Sequence, residues 1–211
     1  DQAVVGSKLS LTTKFTYGLG SVAYGVGGTA LGGATVTYFL NQVVGLHAAL
    51  VGTVIAASII IDAVIDPLVG QWSDNLRSPW GRRHPFMYAS AIPTALAFYF
   101  LWNPPTGLSN EALLIFMMFL LVVVRICVSL YEIPSTALAP ELAPGYDDRT
   151  SLLSFRYFFG VTGGLVMGSL LNLVFIAKTA ANPEGPLNRA GYGHFGATAA
   201  AIMVVAILIS S

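Results

Sequence analysis

The chain has 211 residues, of which 55% are hydrophobic and only 9% charged, ten basic against ten acidic. Soluble domains carry roughly 25% charged residues, so a water-facing surface is excluded and lipid is the expected solvent. Zero net charge leaves no basic face for nucleic acid and no acidic tail.

Cys127, the single cysteine, lies inside an apolar run. It can form no intrachain disulfide and fits no metal-ligand spacing, so it reads as a small buried hydrophobe. The polar start, Asp1 to Ser10, lacks the charged-then-apolar layout of a cleaved signal peptide.

A helix that crosses a bilayer needs about 20 mostly apolar residues. Six stretches meet this: roughly Thr16 to Leu40, Ala48 to Gln71, Phe86 to Trp102, Glu111 to Leu138, Leu152 to Ala177 and Tyr192 to Ser211. The breaks carry turn chemistry, as in Asn103-Pro104-Pro105 and Ala143-Pro144-Gly145. Closed barrels are the other spanning solution, but these runs are too long and do not alternate. The expectation is an all-α membrane protein, a six-transmembrane-helix bundle over residues 1–211.

Lys8, Lys14, Arg77, Arg82, Arg83 and Arg149 fall on one side of these spans, and only Lys178 and Arg189 on the other. The positive-inside rule then puts both termini in the cytoplasm. Trp80, Trp102 and Tyr192 sit at span ends, where interfacial aromatics are expected. Gly28 and Gly32 on span one, and Gly160, Gly164 and Gly168 on span five, repeat every four residues and predict close helix packing. The Gly25-Val26-Gly27-Gly28 cluster follows no strand, so it is not a phosphate loop.

Charges inside spans cost about 2.5–3.5 kcal/mol on insertion scales, which makes them functional candidates. Five stand out: Asp62, Asp66, Arg125, Glu132 and Arg156. Asp62 and Asp66 are four apart, hence on one helix face about 6 Å apart along the axis. Two carboxylates so close need a proton or a cation between them, which is the chemistry of a coupling-ion site for sodium or proton. The alternative is that they reach the interface or pair with an arginine. Arg125 and Glu132 share a face of span four. Arg156 can clamp an anionic or hydroxyl-rich solute through its planar fork, or it can bridge to Glu132 and hold spans four and five together. Ser129 offers a hydroxyl beside these groups, or bonds back to its own helix. His47, His84 and His194 are scattered, with no nucleophile–base spacing, so an enzyme is not expected.

Gly70-Gln71-Trp72-Ser73-Asp74 followed by Gly81-Arg82-Arg83 resembles the loop 2–3 signature of the major facilitator superfamily. Asp74 can accept hydrogen bonds from an arginine, so Gly70, Asp74, Gly81, Arg82 and Arg83 make a cytoplasmic gating latch. A longer pattern is more specific. Asp62-Ala63-Val64-Ile65-Asp66-Pro67-Leu68-Val69-Gly70, then Trp80-Gly81-Arg82-Arg83, Tyr131-Glu132-Ile133-Pro134 and Arg156-Tyr157-Phe158-Phe159-Gly160, is similar to the glycoside–pentoside–hexuronide:cation symporters, the melibiose-permease-like family. The resemblance covers about Leu11 to Phe175.

It implies that Asp62 and Asp66 are cation-binding carboxylates, metal ligands if the ion is sodium, with Ser129 assisting. It places Glu132 and Arg156 at the solute; Arg125, deep in a Val/Leu run, is counted with the solute-binding residues on its own position, with structural pairing as its other reading. Three positions depart from the family: Gly25 stands where an acidic sugar ligand is found, Ile65 where an amide is, and Thr136 where an aromatic platform is. Sodium-dependent lysolipid symporters share parts of the pattern, so an amphiphile rivals a sugar as solute.

Family members have two six-helix bundles with the solute between them. The chain is therefore expected to be the N-terminal half of a major facilitator fold. Its partners would be membrane lipid, a small-molecule solute, and a missing C-terminal bundle or second subunit; no cofactor beyond the coupling ion is expected. A non-transporting scaffold subunit is the reading from another class. The expected location is the bacterial inner membrane.

Overall fold

The computed structural model describes residues 9–211; Lys8, counted above among the basic residues of the cytoplasmic side, lies outside the described residues. The described residues contain helices and loops but no strand. In chain order the helices are α1 (Leu11–Leu19), α2 (Ser21–Leu31), α3 (Gly33–Tyr38), α4 (Ala48–Asn75), α5 (His84–Trp102), α6 (Asn110–Leu142), α7 (Tyr146–Leu170) and α8 (Arg189–Ser210). A π-helical turn at Phe39–Val43 follows α3, and another at Leu171–Phe175 extends α7.

Among the described residues, four helices are long and apolar enough to cross a membrane: Ala48–Asn75, Asn110–Leu142, Tyr146–Phe175 and Arg189–Ser210. Their starts and ends lie close to four of the expected spans, and α5 lies close to a fifth, Phe86 to Trp102. Only span one differs in its course. Span one, expected as one helix from Thr16 to Leu40, is divided into α1, α2 and α3 at Gly20 and Gly32. The division at Gly20 is slight, since Gly20 keeps helical dihedrals, φ −58° and ψ −30°, whereas at Gly32 ψ swings to 130°; a Cβ on Gly20 would lie 1.7 Å from the Tyr131 hydroxyl, which shares a 2.7 Å hydrogen bond with Ser210. Span three becomes α5, of 19 residues, whose prolines, tyrosines and histidine dilute its apolar run.

Helix α2 lies along α7, α5 packs between α6 and α8, and α4 packs on α6. Glycine makes the α2–α7 contact, but not the glycines that the four-residue spacing picked on span one. Gly25 meets Gly160 so closely that a Cβ on Gly25 would stand 1.8 Å from the Gly160 carbonyl oxygen. Gly28 has nothing within 4 Å of where its Cβ would be, among the described residues. The α7 stripe holds: Gly164 packs on Thr29 and on the Gly25 carbonyl, and Gly168 on Thr29.

Trp102 and Tyr192 stand at helix ends, as read from the sequence, but they face inward. Trp102 is 0% and Tyr192 2% exposed. Their rings stack at 5.8 Å, with Phe39, Phe98 and Phe195 around them. Gly196 makes room for this, since a Cβ there would meet the Trp102 Cβ at 2.5 Å. Trp80, at 71% exposed, remains at the surface. Cys127 is buried.

Candidate functional site

Four elements, α2, α4, α6 and α7, enclose two adjoining cavities. The first, of about 380 Å³, is lined by Asp62, Asp66, Arg125, Ser129 and Glu132 among others. The second, of about 530 Å³, is lined by Glu132, Thr136 and Arg156 at one end and by Leu153, Val161 and Leu165 along α7. Tyr24, Gly28 and Glu132 belong to both walls.

Asp62 is held from α6. Its Oδ2 accepts from the Arg125 guanidinium at 3.1 Å, and its Oδ1 accepts from the Ser129 hydroxyl at 3.3 Å. Arg125 also donates through Nε to Ser58 at 3.0 Å, and Ser58 passes its own proton to the Ile55 carbonyl at 2.8 Å. Ser58 lies one turn before Asp62, so it shares the aspartate face. Asp66 lines the same cavity, and its buried Oδ1 has no hydrogen-bond partner among the described residues. Ser129 bonds to Asp62 rather than back to its own helix, and Asp62 pairs with an arginine.

The second cavity ends in an ion pair between α6 and α7. Glu132 Oε1 accepts from Arg156 and, at 3.2 Å, from Thr136. Arg156 is 6% exposed, and both terminal nitrogens of its guanidinium are engaged. It donates to Ser135 Oγ at 2.6 Å, to Thr136 Oγ1 at 3.0 Å and to the Tyr17 hydroxyl at 3.4 Å, and it stands 5.3 Å over the Tyr17 ring. Tyr17 in turn donates to the Ser135 carbonyl at 2.6 Å. Glu132 Oε2 is buried with no partner among the described residues. Truncating one member of a buried pair strands the other, at about 3–5 kcal/mol, so this contact also braces α6 on α7.

Arg125, read from sequence as a solute contact beside Glu132, is placed on Asp62 in the first cavity. The two cavities together set three carboxylates, Asp62, Asp66 and Glu132, against two guanidiniums, Arg125 and Arg156. With all five ionised, one negative charge is uncompensated. A single monovalent cation neutralises it.

A separate cluster sits where α4 ends, α5 begins and α6 ends. The Arg83 side chain, 12% exposed, donates to Asp74 at 2.8 Å, pairs with Glu141 at 3.1 Å and reaches the Ala137 carbonyl. Arg82 meets Glu141 at 3.1 Å on the open side. Gly81 turns the chain at φ +89°, in the left-handed region that favours glycine. Gly70 faces the Ile133 side chain. A second tie, Lys14 to Asp148 at 3.2 Å, joins the starts of α1 and α7.

Sequence reasoning missed Ser58, Tyr17, Ser135, Tyr24 and Glu141. Ser58 and Ser135 carried a signal, being four and three residues from charged positions on their own helices. Tyr24, Tyr17 and Glu141 carried none that spacing reads, because Tyr24 lines a cavity closed by other helices and the partners of Tyr17 and Glu141 are distant in sequence.

The family described as MFS/sugar transport protein matches residues 16–211. The chain therefore belongs to this family of the major facilitator superfamily, as the melibiose-permease-like pattern implied, and is an integral membrane protein. It is 34% identical over 215 residues to an uncharacterized symporter of Synechocystis sp., covering 100% of this chain and 38% of that protein. It is 26% identical over 157 residues to the isoprimeverose transporter of Lactiplantibacillus pentosus, covering 74% of this chain and 32% of that protein. It is 26% identical over 174 residues to sodium-dependent lysophosphatidylcholine symporter 1-A of Danio rerio, covering 78% of this chain and 31% of that protein. These relatives are named as transporters, not enzymes. The chain spans less than two fifths of the length of each.

Proposed function

We propose that this chain is the N-terminal six-helix half of a cation-coupled symporter that works by alternating access, with both termini in the cytoplasm of a bacterial inner membrane. Asp62 and Asp66, with Ser129, take the coupling ion, sodium or proton. Glu132 and Arg156 take the solute. The second wall of the solute cavity belongs to a C-terminal bundle outside this chain, or to a second subunit. Gly70, Asp74, Gly81, Arg82 and Arg83 latch the cytoplasmic side.

The observation that carries this reading is the shared wall of the two cavities. An ion that neutralises the Asp62–Asp66 cavity changes the field at Glu132, which lines both. Each ligand then raises the affinity for the other, and the effect must be reciprocal. The solute is a sugar or a sugar-like molecule, recognised by the hydroxyl-seeking fork of Arg156 and by Glu132.

A lysolipid-like amphiphile is the second reading. The Arg156 cavity has a charged end and a wall of Leu153, Val161 and Leu165, which suits a headgroup with a chain attached. A relative named for lysophosphatidylcholine supports it.

The test is Asp62→Asn in the full-length transporter, reconstituted in vesicles with an imposed sodium or proton gradient. Uptake against a gradient should be lost while exchange of solute at equal ion concentrations persists. Concentrative uptake at the wild-type level would end the proposal.

A further inference from the structure

The carboxylate that the proposed function assigns to the coupling ion is already engaged. Both oxygens of Asp62 face protein donors, Arg125 on Oδ2 and Ser129 on Oδ1. A bound cation needs oxygen lone pairs, and a guanidinium presents only N–H groups. Ser129 can rotate its hydroxyl and offer a lone pair instead. Arg125 cannot, since a guanidinium has no acceptor. Each Asp62 oxygen keeps a second lone pair, so what Arg125 withholds from a cation is the negative charge of the carboxylate, which becomes fully available only when the guanidinium moves away.

We propose that Arg125 is a tethered competitor of the coupling cation: its guanidinium fills the charge at Asp62 while the ion site is empty, and the arriving cation displaces it. This rests on the reading of Asp62 and Asp66 as the ion site. Arg125 is a positioning residue, not a solute ligand. Its hold on Asp62 is built to be reversible. The contact is a single N–H to Oδ2, with Nε spent on Ser58 rather than on a second carboxylate oxygen. A paired fork on both oxygens would be tighter and more specific.

The cavity also holds a place for the displaced group. Glu132 Oε2 is buried and without a partner among the described residues, and it lines the same cavity as Arg125. Two turns of α6 separate them, about 10.5 Å of rise, within the combined reach of an arginine and a glutamate side chain. A guanidinium that moves there adds positive charge beside the Glu132–Arg156 pair. The arrival of the ion is thus registered in the solute cavity.

The alternative is a plain strut, in which the Arg125–Asp62 pair only braces α4 against α6. The two roles predict opposite signs for cation affinity. Loss of a strut loosens the site and weakens cation binding or leaves it alone. Loss of a competitor strengthens cation binding.

The test is a sodium titration of the purified full-length protein, followed by thermal shift, with choline replacing sodium at constant ionic strength. Arg125→Gln should lower the half-saturating sodium concentration at least tenfold, and Arg125→Lys, which keeps the charge, should stay within about threefold of wild type. A wild type blind to sodium beside an Arg125→Gln variant that responds would support the proposal equally. An unchanged or raised half-saturation in Arg125→Gln, or no sodium response in either protein, would overturn it. Where Arg125→Gln fails to fold, Arg125→Met keeps a stem of similar reach without the charge and should shift sodium binding in the same direction; no shift overturns the proposal. Asp62→Asn uptake reports separately on the ion site itself, so a failed competitor and a failed ion site give different results.

Discussion

Substituting Gly25 by alanine adds one methyl group at the tightest point between α2 and α7. The new Cβ would lie 1.8 Å from the carbonyl oxygen of Gly160 and 2.7 Å from its carbonyl carbon. Ordinary contact begins near 3.4 Å, so the two helix backbones would have to part by more than an ångström. Backbone cannot rotate away as a side chain can. Overpacking of this kind costs about 1–3 kcal/mol, and a backbone clash belongs at the upper end. Gly28→Ala, one turn along the same helix, is the internal control. Nothing lies within 4 Å of its Cβ position among the described residues, and alanine is the better helix former by roughly 0.8–1 kcal/mol. Thermal unfolding of the full-length protein in detergent, read by tryptophan fluorescence, should therefore show Gly25→Ala several degrees below wild type and Gly28→Ala at or above it. Equal melting temperatures for the two variants would refute the close α2–α7 approach. The control also narrows both cavities, because Gly28 lines each of them. A stable Gly28→Ala protein with weakened transport would separate packing from function on one helix.

Arg83 and Arg82 are neighbours in sequence with unequal surroundings. Arg83→Ala loses Asp74, Glu141 and the Ala137 carbonyl from a sheltered position and should cost about 1–3 kcal/mol. Arg82→Ala loses one exposed pair and should fall within about 0–1 kcal/mol; thermal unfolding of the two variants checks the order. Arg156→Ala strands Glu132 and should lower stability by about 3–5 kcal/mol, with solute binding lost as well. Binding at the wild-type level by a folded Arg156→Ala protein would remove Arg156 from the solute site.

Much of this protein is legible without a fold. Low charge and long apolar runs force helices in lipid, since an unpaired backbone amide has no partner there. The period of the helix places Asp62 with Asp66, and Arg125 with Glu132, on common faces. The loop between the second and third spans marks the superfamily. What periodicity cannot see is which face meets which helix. It paired Gly28 with Gly32 for packing, whereas Gly25 makes the contact and Gly28 lines the cavities. It set Trp102 and Tyr192 at the membrane surface because they end runs, whereas α8 leaves a notch at Gly196 that draws Trp102 inward.

The same limit governs the charges. Sequence showed five costly charges and offered the Arg156–Glu132 bridge only as one of two readings, because the partners stand on other helices, 63 residues apart for Asp62 and Arg125 and 24 for Glu132 and Arg156. Only the tertiary structure decided that Asp62 takes Arg125 and that Glu132 takes Arg156. The decision is physical. A charge in a medium of low dielectric constant must find its counter-charge across a helix interface, here α4 on α6 for Asp62 and α6 on α7 for Glu132. Asp66 Oδ1 and Glu132 Oε2 remain without partners among the described residues. Sequence determined that this chain crosses lipid and carries its charges inside. The structure decided which of those charges hold the helices together and which carboxylate oxygens stay without a partner among the described residues.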